Sequence, residues 1–145
     1  AIQTPVDVRF QNGIRLMGYD TAVETLHPGD NLLLTLYWQT SAPIEQRYKV
    51  FVHILGPAFN PKTKNPLWGQ QDQEPLNGVL PTTSWGLNRL ISDPYLVKLA
   101  PEAPPGKYTI ELGWYHPVTG ERLQVVEADG KATGDHVNLF EVDVK

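Results

Sequence analysis

The chain has no cysteine, which excludes disulfides, thiolate metal sites and cysteine nucleophiles together. It is also poor in positive charge, with 12 Lys and Arg against 16 Asp and Glu and a formal net charge of −4. Phosphate backbones are bound by clustered Lys and Arg, and those here are few and scattered, so no nucleic-acid partner is expected. No apolar run approaches the ~20 residues that cross a bilayer, and the opening residues lack the order of a signal peptide. The chain therefore reads as soluble, without a transmembrane segment. A 3.6-residue apolar period is missing throughout, which removes helices from the expected architecture.

What the sequence has instead is alternation. From Tyr48 to Leu55, Val50, Val52 and Ile54 fall on one face and Lys49, Phe51 and His53 on the other, the period of a strand with one apolar side. Leu32, Leu34, Leu36 and Trp38 share a face in the preceding run, and Tyr108, Ile110, Leu112 and Trp114 do so later. Val6–Gln11 and Ile14–Tyr19 flank Asn12-Gly13, the dipeptide that best accepts a type I′ turn, and predict a first hairpin. Further strands are expected at Tyr95–Leu99 and His136–Val144, the latter with Phe140, Val142 and Val144 on one side. Tyr108–Tyr115 and Leu123–Glu127 are expected to pair as a hairpin through His116–Gly120.

With no helix to cover them, apolar sheet faces must bury one another. The expected fold is an all-β, antiparallel two-sheet β-sandwich, immunoglobulin-like or carbohydrate-module-like, of eight or nine strands in one domain over residues 1–145. Leu34, Leu36, Trp38, Val50, Val52, Ile54, Ile110, Leu112 and Val142 form its predicted core. Residues 58–85 break the pattern with prolines at 61, 66, 75 and 81 and read as one long ordered loop, in which only Leu67–Gln73 suggests an edge strand. Trp68, Leu76, Val79, Leu80 and Trp85 anchor it, with Trp85 expected to be structural and Trp68 at the surface.

Reactive constellations are sparse. His53 lies mid-strand, His27 and His116 lie in turns, and His136 opens the last strand; no pair has the spacing of a zinc motif, so neither a metal nor a cofactor is expected. Asp72 and Glu74 face one way on an extended segment, but glycosidase carboxylates act across a cleft from separate strands, and the segment reads as solvated. Asp93, Asp129 and Asp135 could donate oxygens to Ca²⁺, although Asp129-Gly130 and Gly134-Asp135 are equally turn pairs. Ser41, Ser84 and Ser92 lack a nucleophile elbow. No catalytic residue is assigned.

The aromatic distribution carries the functional interest. If the three long strands share a sheet, their outward faces present Tyr37, Phe51 and Tyr115 beside Lys49, His53, Gln39 and Glu111. Flat rings among hydrogen-bonding groups are surfaces on which sugar rings stack. The candidate ligand-binding residues are Tyr37, Phe51, His53 and Tyr115 from these faces and Trp68 from the long loop, where it is expected at the surface. The competing expectation, which the area of Trp68, Leu76 and Trp85 favours, is that the long loop folds over this face and buries the rings.

Several short signatures follow one another along the chain: Met17-Gly18-Tyr19-Asp20, Pro28-Gly29-Asp30, Leu34 to Trp38, Val50 to His53, Pro81 to Trp85, Asp93-Pro94-Tyr95, Pro104 to Tyr108, and Gly113-Trp114-Tyr115 leading to Thr119 to Leu123. In this order they resemble the soluble C-terminal β-sandwich domain of large bacterial membrane glycosyltransferases that use a polyprenyl-phosphate sugar donor. The resemblance implies a non-catalytic accessory module outside the cytoplasmic membrane, attached to a multi-span enzyme and contacting either that enzyme or its acceptor glycan. A free-standing carbohydrate-binding module is the alternative expectation.

Overall fold

Alternating side chains become a two-layer structure because each strand has one face to hide. The computed structural model describes residues 1–145 and contains eleven strands and no α-helix. They are β1 Thr4–Phe10, β2 Ile14–Thr21, β3 Thr25–Leu26, β4 Asn31–Thr40, β5 Lys49–Asn60, β6 Asn65–Gln73, β7 Ile91–Lys98, β8 Gly106–Tyr115, β9 Val125–Val126, β10 Ala132–Gly134 and β11 Val137–Val144. A six-stranded sheet has the order β10, β9, β1, β2, β4, β7, and a five-stranded sheet the order β3, β11, β8, β5, β6. Every pairing is antiparallel except that of β3 with β11, where Thr25 lies opposite Asp143. No helix is long and apolar enough to cross a membrane.

The all-β sandwich is as expected, and all nine predicted core residues are buried. Leu32, Leu34, Leu36 and Trp38 of β4 meet Val50, Val52 and Ile54 of β5 and Tyr108, Ile110, Leu112 and Trp114 of β8 across the sandwich, each fully excluded from solvent. Trp38 and Trp114, one from each sheet, bring their ring centroids to 4.7 Å. Burying a large aliphatic side chain contributes roughly 1.5–3 kcal/mol, so this inner layer is where most of the folding free energy arises.

Four expectations are corrected. The three long strands do not share a sheet: β4 lies between β2 and β7, whereas β5 and β8 pair directly in the other sheet. Period-2 alternation says which side chains point inward, but the same pattern serves either layer. The eight or nine strands become eleven because β3, β9 and β10 have two or three residues, too few for alternation to register. The first turn is not type I′, since of Asn12 and Gly13 only Gly13 takes a positive φ (96°) and its N–H bonds to the Phe10 carbonyl. Finally, the hairpin after β8 stops at the Tyr115–Arg122 bridge; the chain then crosses to the six-stranded sheet, where β9 pairs with β1.

The segment 58–85 is not one long loop. β5 continues through Gly56-Pro57 to Asn60, helped by register shifts between Leu55 and Asn60, and returns as β6, a full edge strand. Pro66 is tolerated because β6 has an unpaired side. A turn over residues 61–64 joins the two strands, and residues 74–90 are irregular, with 3₁₀ turns at Pro75–Gly78 and Thr82–Ser84.

Candidate functional site: the outer face of the five-stranded sheet

Register brings together three of the five predicted ligand-binding residues. In the β5–β8 pair, Lys49 lies opposite Tyr115, Phe51 opposite Gly113 and His53 opposite Glu111. Phe51 is nevertheless only 2% exposed. Gly113 makes room for it: a Cβ there would stand 2.6 Å from Phe51 Cε2 and Cζ. On the ring itself rests the Arg122 guanidinium, its Cζ 4.2 Å from the centroid, within the ~6 Å of a cation–π contact. His53 and Tyr115 border the same ring, at centroid distances of 4.7 and 6.3 Å.

Several polar groups of this face are paired with one another. Glu111 lies between two imidazoles, with Oε1 3.4 Å from His53 Nδ1 and Oε2 3.9 Å from His136 Nε2. His136 Nδ1 is 2.9 Å from Asp135 Oδ1, which also faces Arg122 Nη1 at 3.5 Å. His53 first, then His136 and Arg122, hold the Glu111 carboxyl below its ordinary value; His136 and Arg122 do the same for Asp135. Tyr115 donates its hydroxyl to Asp72 Oδ2 at 2.8 Å, and Gln70 Nε2 donates to Asp72 Oδ1 at 3.0 Å. Desolvation, reinforced by that carboxylate, pushes the Tyr115 phenol up to about 12. Beside this network runs a shallow groove of about 390 Å³, into which Lys107, Thr109, Glu111, His136 and Asn138 bring donors and acceptors.

The other two predicted residues lie elsewhere. Tyr37 sits in the six-stranded sheet, half-buried, and donates its hydroxyl to Asp20. Trp68 is not a surface residue: it is 7% exposed, belongs to the core, and donates its indole N–H to the Ala58 carbonyl at 3.0 Å. Gly56 admits the indole, since a Cβ there would lie 2.9 Å from Trp68 Cδ1. Trp85 is structural as expected, edge-on to Trp114 at 5.8 Å and bonded to the Leu80 carbonyl. The expectation that residues 58–85 cover the Phe51 face is also corrected. Both tryptophans pack into the core, and the cover over Phe51 is Arg122.

Sequence reasoning missed Arg122 and Gly113 as parts of this face. An isolated glycine within an apolar strand signals a close approach, and Gly113 carries that signal. Arg122 carries none, because its position depends on the Tyr115–Arg122 bridge. Asp72 and Glu74 are engaged separately, Glu74 by Arg47. Asp93, Asp129 and Asp135 do not converge: Asp129 accepts the Lys131 N–H, while buried Asp93 accepts from Trp38 Nε1, the Tyr95 hydroxyl and the Leu76 N–H. Burial raises the Asp93 carboxyl, against the pull of those donors. No group of three or more His, Asp or Glu side chains is arranged as metal ligands.

No protein-family model matches the chain, and no curated protein sequence matches it. Among solved structures, it is similar to the alkylpurine DNA glycosylase AlkC of Pseudomonas fluorescens, bound to DNA containing an abasic site analogue. The identity is 9%, the TM-score 0.49, and the match covers 92% of this chain and 30% of that one. It is also similar to the CARDB domain of a Pyrococcus furiosus protein in complex with di-metal ions, at 12% identity and a TM-score of 0.46, covering 100% of this chain and 95% of that one. At these scores neither likeness assigns a function here.

Proposed function

We propose that this chain is a non-catalytic accessory domain of an envelope membrane glycosyltransferase, with the outer face of its five-stranded sheet turned to the acceptor glycan or to the membrane enzyme. The ordered signatures between Arg15 and Leu123 suggest the association. The observation that carries the reading is the pre-ordered face itself: His53, Glu111, His136, Asp135 and Arg122 form one chain of contacts, of which Glu111 and His136 line the groove, and Tyr115 and Asp72 form a second pair on the same face. Side chains fixed in advance lose little conformational freedom when a partner docks, which favours recognition. A free-standing carbohydrate-binding module is the second reading, favoured by the groove's uncharged Thr109 and Asn138 beside its charged groups.

The coding sequence that runs into Ala1 tests the proposal. A multi-span membrane enzyme in the same reading frame is the expected result. A secreted glycosidase in that position would overturn it in favour of the second reading.

A further inference from the structure

Two edge strands from different sheets lie side by side along one flank. β6 ends the five-stranded sheet and β7 ends the six-stranded one, and between them lies a cleft of about 550 Å³. Gln71 and Gln73 of β6 and Asn77 beyond it contribute three carboxamides. Gln71 Nε2 donates to Gln73 Oε1 at 3.2 Å and Gln73 Nε2 to the Pro94 carbonyl, leaving the Gln71 oxygen, the second N–H of each glutamine and the Asn77 amide to a ligand. Leu76 and the cross-strand pair Leu33 and Leu96 form an apolar wall. That pair is 58% and 57% exposed, far above what strand residues facing a covered surface show. None of the eight lining residues is charged. Gln71 and Gln73 alternate with Asp72, so the cleft and the Tyr115–Asp72 face lie on opposite sides of β6.

One wall is held in an unusual shape. Leu76 (φ 51°) and Asn77 (φ 53°) are consecutive non-glycine residues in the left-handed region, a conformation that persists only where its surroundings over-determine it. Asp93 supplies the tether by accepting the Leu76 N–H at 2.8 Å from inside the sandwich. The Gly78 and Leu80 N–H groups bond to the Glu74 and Pro75 carbonyls and close the turn.

We infer that this cleft binds a neutral saccharide. A carboxamide both donates and accepts, as a sugar hydroxyl does, so three of them match a polyhydroxylated ligand of unspecified hydroxyl orientation. The leucine wall receives the C–H face of a pyranose ring. With no charge in the lining, an ionic ligand would be desolvated without compensation. The volume lies within the ~300–1,000 Å³ of small-molecule sites. The other ligand an open sheet edge attracts is an added peptide strand, and β7 is built against it. Pro94 has no N–H, and its carbonyl already accepts Gln73 Nε2 at 3.3 Å, so the middle of the edge offers neither donor nor free acceptor. The inference does not rest on the accessory-domain reading, which concerns the opposite side of β6.

The test is a titration of the chain with maltose, cellobiose and diacetylchitobiose, followed by amide and methyl NMR, with an uncharged Val-Thr repeat peptide alongside. At least one disaccharide is expected to shift the side-chain amides of Gln71, Gln73 and Asn77 and the methyls of Leu33 and Leu96. Leu96→Asp and Gln71→Met each alter one wall at a position that is not fully buried, and either is expected to weaken that binding about tenfold or more. The inference is overturned if no disaccharide moves these signals, if both folded variants bind as well as the parent, or if only the peptide shifts β7.

Discussion

Arg122 rests on the ring of Phe51, its Cζ 4.2 Å from the centroid, so the most aromatic point of the outer face is closed. Gly113 lies against the other side of the contact, opposite Phe51 in the β5–β8 ladder. The expected consequence is that Gly113→Ala displaces the ring and loosens Arg122. Overpacking of this kind costs ~1–3 kcal/mol, measured as a lower denaturation midpoint. An unchanged midpoint would show that Phe51 is free to move aside.

Glu111 gives the domain an acid-sensitive component. Its carboxyl is held below the ordinary value of 4.5 by His53 and His136. A carboxyl depressed in the folded state contributes stability above its unfolded value and loses it as pH falls through the folded one. Glu111→Gln removes that component, so denaturant titrations from about pH 5 downward should show a shallower loss of stability in the variant than in the parent.

Trp68 fixes the start of β6 against the core. Trp68→Ala should cost ~3–5 kcal/mol and lower the melting temperature by roughly 10 °C. Trp68→Phe, which keeps most of the volume but leaves the Ala58 carbonyl without its donor, should cost only ~1 kcal/mol. A near-neutral Trp68→Ala would contradict the burial of this indole.

Asp93 is surrounded by three donors, so an amide in its place aims an N–H group where an acceptor is needed. Asp93→Asn is expected to destabilise the domain by ~1–3 kcal/mol despite removing a carboxylate that burial disfavours. Hydrogen exchange at Leu76 should accelerate in the same variant, because its N–H loses the carboxylate acceptor.

Much of this was legible in the sequence, for a physical reason. Burial of alternate residues is a local property, so the inward sets of β4, β5 and β8, including Trp38 and Trp114, could be read directly. Sheet membership was not legible, because Tyr37 and Phe51 stand on equally convincing strands that belong to different layers. Phe51, His53 and Tyr115 were found together because the β5–β8 ladder makes them neighbours. Trp68 was misplaced because Gly56-Pro57 reads as a break, whereas the strand continues there with a shifted register. The cleft between β6 and β7 left no trace at all, since its residues come from three stretches of chain, Leu33, Gln71–Asn77 and Pro94–Leu96.

The parallel pairing of β3 with β11 joins distant parts of the sequence. Thr25 and Leu26 meet Asp143 and Val144, and His27 Nδ1 lies 3.0 Å from the Lys145 carbonyl, so one seam joins residues from near opposite ends of the sequence. Closing so large a loop gains nothing until the strands between are already in place. Sequence neighbours such as β5 and β6 close a far shorter loop than this seam does. A chain elongating on the ribosome leaves β3 without its β11 partner until residues 143–145 have been made.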